Sequence, residues 1–139
     1  LFTRAILSGE PIDIYNHGHM ERDFTYVDDV VEGIVRVMKS PHAGDPTWDG
    51  IESAVSPAPY RVYNIGNGSP VKLLDFVNAI EETLGVKAIT RMLPIQPGDV
   101  PRTWADCSAL EQETGYRPRT GIMDGVREFI DWYRDFYSV

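Results

Sequence analysis

Cysteine is nearly absent from this chain: Cys107 stands alone among 139 residues. No disulfide can form within it, and a reducing, cytoplasmic setting is expected. Positive charge is also scarce. Thirteen Lys and Arg face 21 Asp and Glu, giving a formal charge of −8, and the basic residues form no run. A nucleic-acid surface needs them clustered, so DNA and RNA are not expected partners. No apolar stretch approaches the roughly 20 residues of a membrane helix. Neither HExxH nor GxSxG occurs, and no Tyr-x-x-x-Lys pair exists, because Val35, Gly68 and Thr83 stand four places before Lys39, Lys72 and Lys87. A complete catalytic set is therefore not expected here. What the chain does have is material for a core, with 42% hydrophobic and 11% aromatic residues, at a length that suits one domain. It opens on Leu1 inside an apparent helix, and we expect it to be part of a longer protein.

Residues 1–8 have the pattern of a helix end stopped by Gly9. Ile12 to Tyr15 alternate apolar and polar, as a half-buried strand does. Residues 16–20 form a turn around Gly18, and 22–27 a second extended run. Asp29 followed by Glu32 looks like a capping box opening a helix, with Val30, Val31, Ile34, Val35 and Met38 on one face and Ser40-Pro41 at its end. Residues 40–60 hold four prolines and two glycines without periodicity; a loop of that length is uncommon in a compact domain and reads as an insertion. Arg61 to Ile65 is an expected strand. Ser69 and Pro70 look like the cap and first turn of a helix over 70–84, with Leu73, Leu74, Val77, Ile80 and Leu84 as its stripe. Further expected elements are a strand at 86–93, a proline-stiffened loop at 94–106, a helix at 108–114, and a helix at 121–137. The last buries Ile122, Val126, Phe129, Ile130, Tyr133 and Phe136.

Several groupings have plain structural readings. Gly66 and Gly68 stand where a dinucleotide loop would, but Val71 replaces the third glycine and Pro70 removes an amide the pyrophosphate would use; a tight turn accounts for them. Capping accounts for the Asp28-Asp29 pair. His17 and His19 lack further metal ligands and read as solvated loop residues or the rim of a pocket. Cys107, with no base beside it in sequence, reads as a free, partly buried thiol. Two loops point further. Arg22, after a glycine turn, offers a planar fork of donors that suits a diphosphate or a surface ion pair. Gln96 and Asp99 in QPGD are placed to hold ribose hydroxyls.

The ordered segments PIDIYNHGHMERDFTYVDDVVEGIVRV, YRVYNIGNGSPVKLLDF, MLPIQPGDVPRTWAD and GVREFIDWYRDFY resemble the C-terminal part of the NAD-dependent epimerase/dehydratase family, the extended short-chain dehydrogenases/reductases. YNHG, RDFTYVDD and MLPIQPGD resemble its UDP-glucuronate 4-epimerase branch in particular. The resemblance spans essentially the whole chain. It implies an α/β fold: the small substrate domain of a Rossmann-type protein plus an edge strand of the parallel sheet, over residues 1–139 with the 40–60 insertion. The NAD-binding Rossmann domain is absent from these residues. It also implies a UDP-sugar such as UDP-glucuronate as ligand, with Asp13, Ile14 and Tyr15 at the uracil, Arg22 at the diphosphate, and Gln96, Asp99 and Thr103 on the phosphate and ribose side. The galactose enzymes of the family carry Arg where Gln96 stands, so one phosphate charge needs another partner. NAD, the acid/base Tyr and its Lys would lie before Leu1, with the hydride step at C4 of the sugar outside this chain. Alone, the chain is expected to self-associate through the exposed edge strand 61–65. Rival readings are a piece of a related dehydratase or decarboxylase, or a stand-alone binding or assembly module.

Overall fold

The computed structural model describes residues 1–139 throughout. In chain order the elements are α1 (Phe2–Leu7), β1 (Ile12–Ile14), a short 3-10 turn (Tyr15–Gly18), β2 (Glu21–Arg22), α2 (Val27–Lys39), β3 (Val71–Lys72), α3 (Leu73–Leu84), β4 (Thr90–Met92), α4 (Ser108–Thr114) and α5 (Ile122–Tyr137). The folded chain divides into two compact units, neither continuous in sequence.

The first unit contains Leu1–Phe24, Ser69–Trp104 and Thr120–Val139. Strand alternation puts Ile12 and Ile14 on the buried face of β1, where they join Ile6, Val77, Ala79, Ile80, Leu84, Val126 and Ile130 in one core. Each of the Ile, Leu and Val side chains among them, fully buried, contributes about 1.5–3 kcal/mol. β1 pairs in parallel with β4, Asp13 opposite Arg91. α3 begins at Leu73, with Lys72 at its N-cap, three residues later than expected. Val71 and Lys72 are drawn instead into an antiparallel pair with Arg22 and Glu21, so ladder bonds override the local cap signal of Ser69 and Pro70. At the other end of α3, Gly85 takes the left-handed conformation, φ 72°. Glu81 then accepts hydrogen bonds from Lys87 Nζ and the Ala88 amide, which ties down the turn leading to β4. These two bonds hold its carboxyl below the usual range.

α5 departs from its expected burial. Val126 and Ile130 are buried and Ile122 packs against the core, but Phe129 and Phe136 are 43% and 64% exposed. Successive helical residues are about 100° apart, so the line through Val126 and Ile130 that meets the core leaves Phe129 and Phe136 to one side. The aromatic stripe is wider than the surface available to cover it.

The second unit contains Thr25–Gly68 and Ala105–Arg119. α2 starts at Val27 with Tyr26 as N-cap, which puts Asp28 and Asp29 inside the first turn rather than at the cap. There they face the positive end of the helix dipole. Asp29 is needed elsewhere: its carboxylate accepts the Tyr116 hydroxyl (3.2 Å) and the Arg119 amide (3.2 Å). Gly33 is buried where a Cβ would stand 3.3 Å from Ile65. Val31, Ile34 and Met38 are exposed, so the expected apolar stripe of α2 lies largely on the surface.

The 40–60 segment contains neither helix nor ladder, but it is pinned shut. The Asp45 amide donates to Ser56 O (2.8 Å) and the Val62 amide to Ala54 O (2.8 Å), while Trp48 Nε1 donates to Glu52 O (2.7 Å). The expected strand 61–65 is reduced to a single bridge, Val55 to Arg61.

Candidate functional site

The expected site residues of the first unit gather around β1, β2 and the 94–103 loop. On β1 the ladder decides which backbone groups are available. Ile12 N donates to Ile89 O (2.8 Å), and Ile14 O accepts from Leu93 N (2.9 Å). Successive backbone groups of a strand point to opposite edges, so Ile12 and Ile14 are committed to β4, and Asp13 presents its amide and carbonyl at the other edge. Ile14 is also fully buried. Within the expected trio, Ile14 thus anchors the strand, while Asp13 keeps its backbone groups at the edge that β4 does not cover. The Asp13 carboxylate is bound by Arg91 Nε at 2.7 Å.

After β1 the chain makes an unusual turn. Asn16 and His17 both have φ 50°, and Gly18 has φ 81°. A left-handed non-glycine residue costs about 1–2 kcal/mol, so two in succession persist only where the surroundings fix them. Here they are fixed by His17 N to Leu93 O (3.0 Å) and Asn16 Nδ2 to His19 O (2.7 Å). Leu74 lies so close beneath Gly18 that a Cβ there would sit 2.8 Å from it. His17 and His19 are exposed.

β2 is held on both edges, by β3 and by residues 101–103, with Glu21 N donating to Pro101 O (2.8 Å) and Thr103 N to Glu21 O (3.2 Å). The two side chains of β2 have separate partners. Glu21 pairs with Arg102 at 3.0 Å, and Arg22 Nη2 reaches Asp99 Oδ1 at 2.7 Å. Arg22 Nη1 also donates to Glu21 O (2.9 Å), and the same Asp99 oxygen accepts the Val100 amide (2.9 Å). Asp99 is set by a turn in which its amide donates to Gln96 O (3.1 Å), with Gly98 at φ 84°. Thr103 Oγ1 accepts the Asp23 amide at 3.3 Å. Arg22, Asp99 and Thr103 are thus brought together, Gln96 supports them through its carbonyl, and Phe24 of the same motif stacks on Phe76, centroids 4.3 Å apart. The formal charges of Arg22 and Asp99 cancel, so a diphosphate placed here needs a further cation.

Sequence reasoning missed the three carboxylate–arginine pairs that frame these strands, those of Asp13, Glu21 and Asp99. Their partners lie 77 or more residues away for Arg22–Asp99 and Asp13–Arg91, and only strand register could have revealed them. The residues at Gly66 to Pro70 do not fit a dinucleotide. No helix starts at that turn, α3 opening only at Leu73, and the Gly66 amide donates to Cys107 Sγ at 3.1 Å.

The short parallel pair of β1 and β4, packed on helices, is the arrangement of an α/β fold. Residues 1–66 match the sequence model of the NAD dependent epimerase/dehydratase family, and nearly the whole chain is similar to part of several longer proteins. It is 50% identical to Protein CapI of Staphylococcus aureus, over 99% of this chain and 42% of that protein. It is 45% identical to a probable UDP-glucuronate 4-epimerase of Rhizobium meliloti, over 98% of this chain and 41% of that protein. Among solved structures, the UDP-glucuronic acid 4-epimerase of Bacillus cereus in complex with UDP-glucuronic acid and NAD superposes with a TM-score of 0.77 at 26% identity, covering 98% of this chain and 39% of that one. MoeE5 in complex with UDP-glucuronic acid and NAD gives a TM-score of 0.76 at 32% identity, covering 97% and 40%. The fold is accordingly that of the C-terminal part of a Rossmann-type extended short-chain dehydrogenase/reductase, and the chain spans about two-fifths of the length of these relatives.

Proposed function

We propose that the chain is the nucleotide-sugar-binding part of an NAD-dependent epimerase acting at C4 of UDP-glucuronate. Asp13 and Tyr15 read the uracil edge through the backbone groups that β4 leaves unused, with the Tyr15 ring against the base. Arg22 clamps the diphosphate, and Asp99, Gln96 and Thr103 serve its ribose and phosphate side. The second cation for the diphosphate, the NAD site and the acid/base residues belong to the remainder of a longer, cytoplasmic protein, so these residues alone carry no hydride step. The observation that carries the reading is the Arg22–Asp99 pair, an arginine fixed on a strand braced from both edges. In the second unit, exposed Val62 and the bare α2 face favour self-association when the chain is alone.

Calorimetric titration with UDP, UDP-glucuronate and NAD tests this. Heat is expected from both uridine nucleotides and none from NAD. Arg22→Ala removes charge-assisted hydrogen bonds worth about 1.5–3 kcal/mol, a loss of about 10- to 150-fold in affinity. Equal affinity in wild type and variant would refute the assignment of Arg22.

A further inference from the structure

The face of α5 turned away from the core is built as two parallel stripes. Phe129, Trp132 and Phe136 follow one another at helical spacings of three and four, and all are exposed, Trp132 at 52%. Their rings form a continuous ladder. Phe129 and Trp132 are 5.8 Å apart and Trp132 stacks on Phe136 at 5.2 Å, with Tyr137 closing the end at 5.0 Å from Phe136. Immediately before each ring in the sequence stands an acid: Glu128, Asp131 and Asp135. These lie about 100° round the helix from the rings and make a second stripe, all of one sign. Asp124, a turn earlier, extends it and is neutralised by Arg127 at 3.1 Å. The remaining basic residue of the helix, Arg134, is turned inward to donate to Leu84 O (3.3 Å). An aromatic ladder bordered by uncompensated carboxylates is therefore present on a helix whose opposite face already fills the core.

We propose that this face of α5 is a docking surface for a separate protein that presents a basic amphipathic helix, its apolar side on Phe129, Trp132 and Phe136 and its Lys or Arg side chains on Glu128, Asp131 and Asp135. Pre-stacked aromatic rings lose little rotamer freedom on binding and are the side chains over-represented among binding hot spots. The charge pattern selects the partner. A second copy would set one acidic stripe against another on a chain of formal charge −8, and like charges facing across an interface are repulsive. An anionic lipid surface is repelled in the same way.

The probe is a synthetic amphipathic helix with Leu on one face and Lys flanking it, titrated into the 139-residue chain. Its charge-reversed counterpart, with Glu in place of Lys, is the control. Binding of the Lys peptide is expected, weakened at least about tenfold at high salt and to a similar degree by the triple substitution Glu128→Gln, Asp131→Asn, Asp135→Asn. Trp132→Ala should abolish it with the melting temperature unchanged, and Phe136→Ser provides a second exposed-site variant should the first unfold. The proposal fails if the Lys peptide does not bind or if the Glu peptide binds as well. It also fails if the chain dimerises in a manner that Trp132→Ala removes, which would give the face to a second copy. Shielding of Trp132 from a soluble quencher in a polypeptide of the relatives' full length would give it to the rest of the same protein, and would overturn the proposal too.

Discussion

The Tyr116 hydroxyl donates to both the main-chain carbonyl of Asp29 (3.0 Å) and its carboxylate (3.2 Å), joining residues 87 positions apart. The Arg36 guanidinium lies over the same ring, 4.9 Å from its centroid. Through this pair the segment after α4 is fastened to the first turn of α2. Asp29 thus closes a long-range link where its sequence context promises only a local cap.

Burial, and after it the charge of Asp29, raises the Tyr116 hydroxyl above its usual pKa, and burial raises Tyr63 as well. A group whose pKa is raised on folding stabilises the fold below its unfolded value, about 10 for tyrosine. That contribution is lost as pH rises through the folded value. Stability measured by urea melts should therefore fall above about pH 10. Tyr116→Phe should cost about 1–2 kcal/mol at neutral pH and give a flatter alkaline limb. An unchanged alkaline limb would remove Tyr116 as its source.

Glu81 supplies the opposite limb. Its pKa is lowered by the Lys87 and Ala88 hydrogen bonds, so its stabilisation is present above the ordinary carboxylate value and is lost as pH falls through the lower, folded one. Glu81→Gln should be less stable than wild type at pH 7, with the gap narrowing below about pH 4. Thermal melts across that range check it.

Gly18→Ala combines two faults, a Cβ 2.8 Å from Leu74 and a φ of +81°. We expect a loss of about 1–3 kcal/mol. Leu74→Ala added to it should relieve the clash and leave the backbone cost, so the double variant separates the two by its non-additivity.

Neighbours in sequence on α5 should behave differently. Ile130→Ala empties a fully buried site and should cost about 2–5 kcal/mol. Phe129→Ala, at an exposed position, should stay within about 0.5 kcal/mol. Comparable losses would mean that Phe129 is covered in solution.

Local signals hold where the local chemistry is uncontested. Gly85 and Gly115 end α3 and α4 in the left-handed conformation, and the 108–114 helix has its expected bounds. Readings shifted where a distant segment competed: Val71 and Lys72 left the helix for β2, and Asp29 left the cap for Tyr116. At the candidate site, residue types alone single out Arg22 and Asp99, but not that they hold each other, and not that the ladder engages the Ile14 carbonyl. Those facts depend on register, which a one-residue shift would reverse.

The neck formed by Asp45 and Ser56 has a practical use. Whatever lies between them is joined to the body at two fixed points, and Ile51 near its middle is 84% exposed. A fluorophore or short affinity tag introduced there should leave α2 and α4 undisturbed and offers a handle for following the second unit on its own.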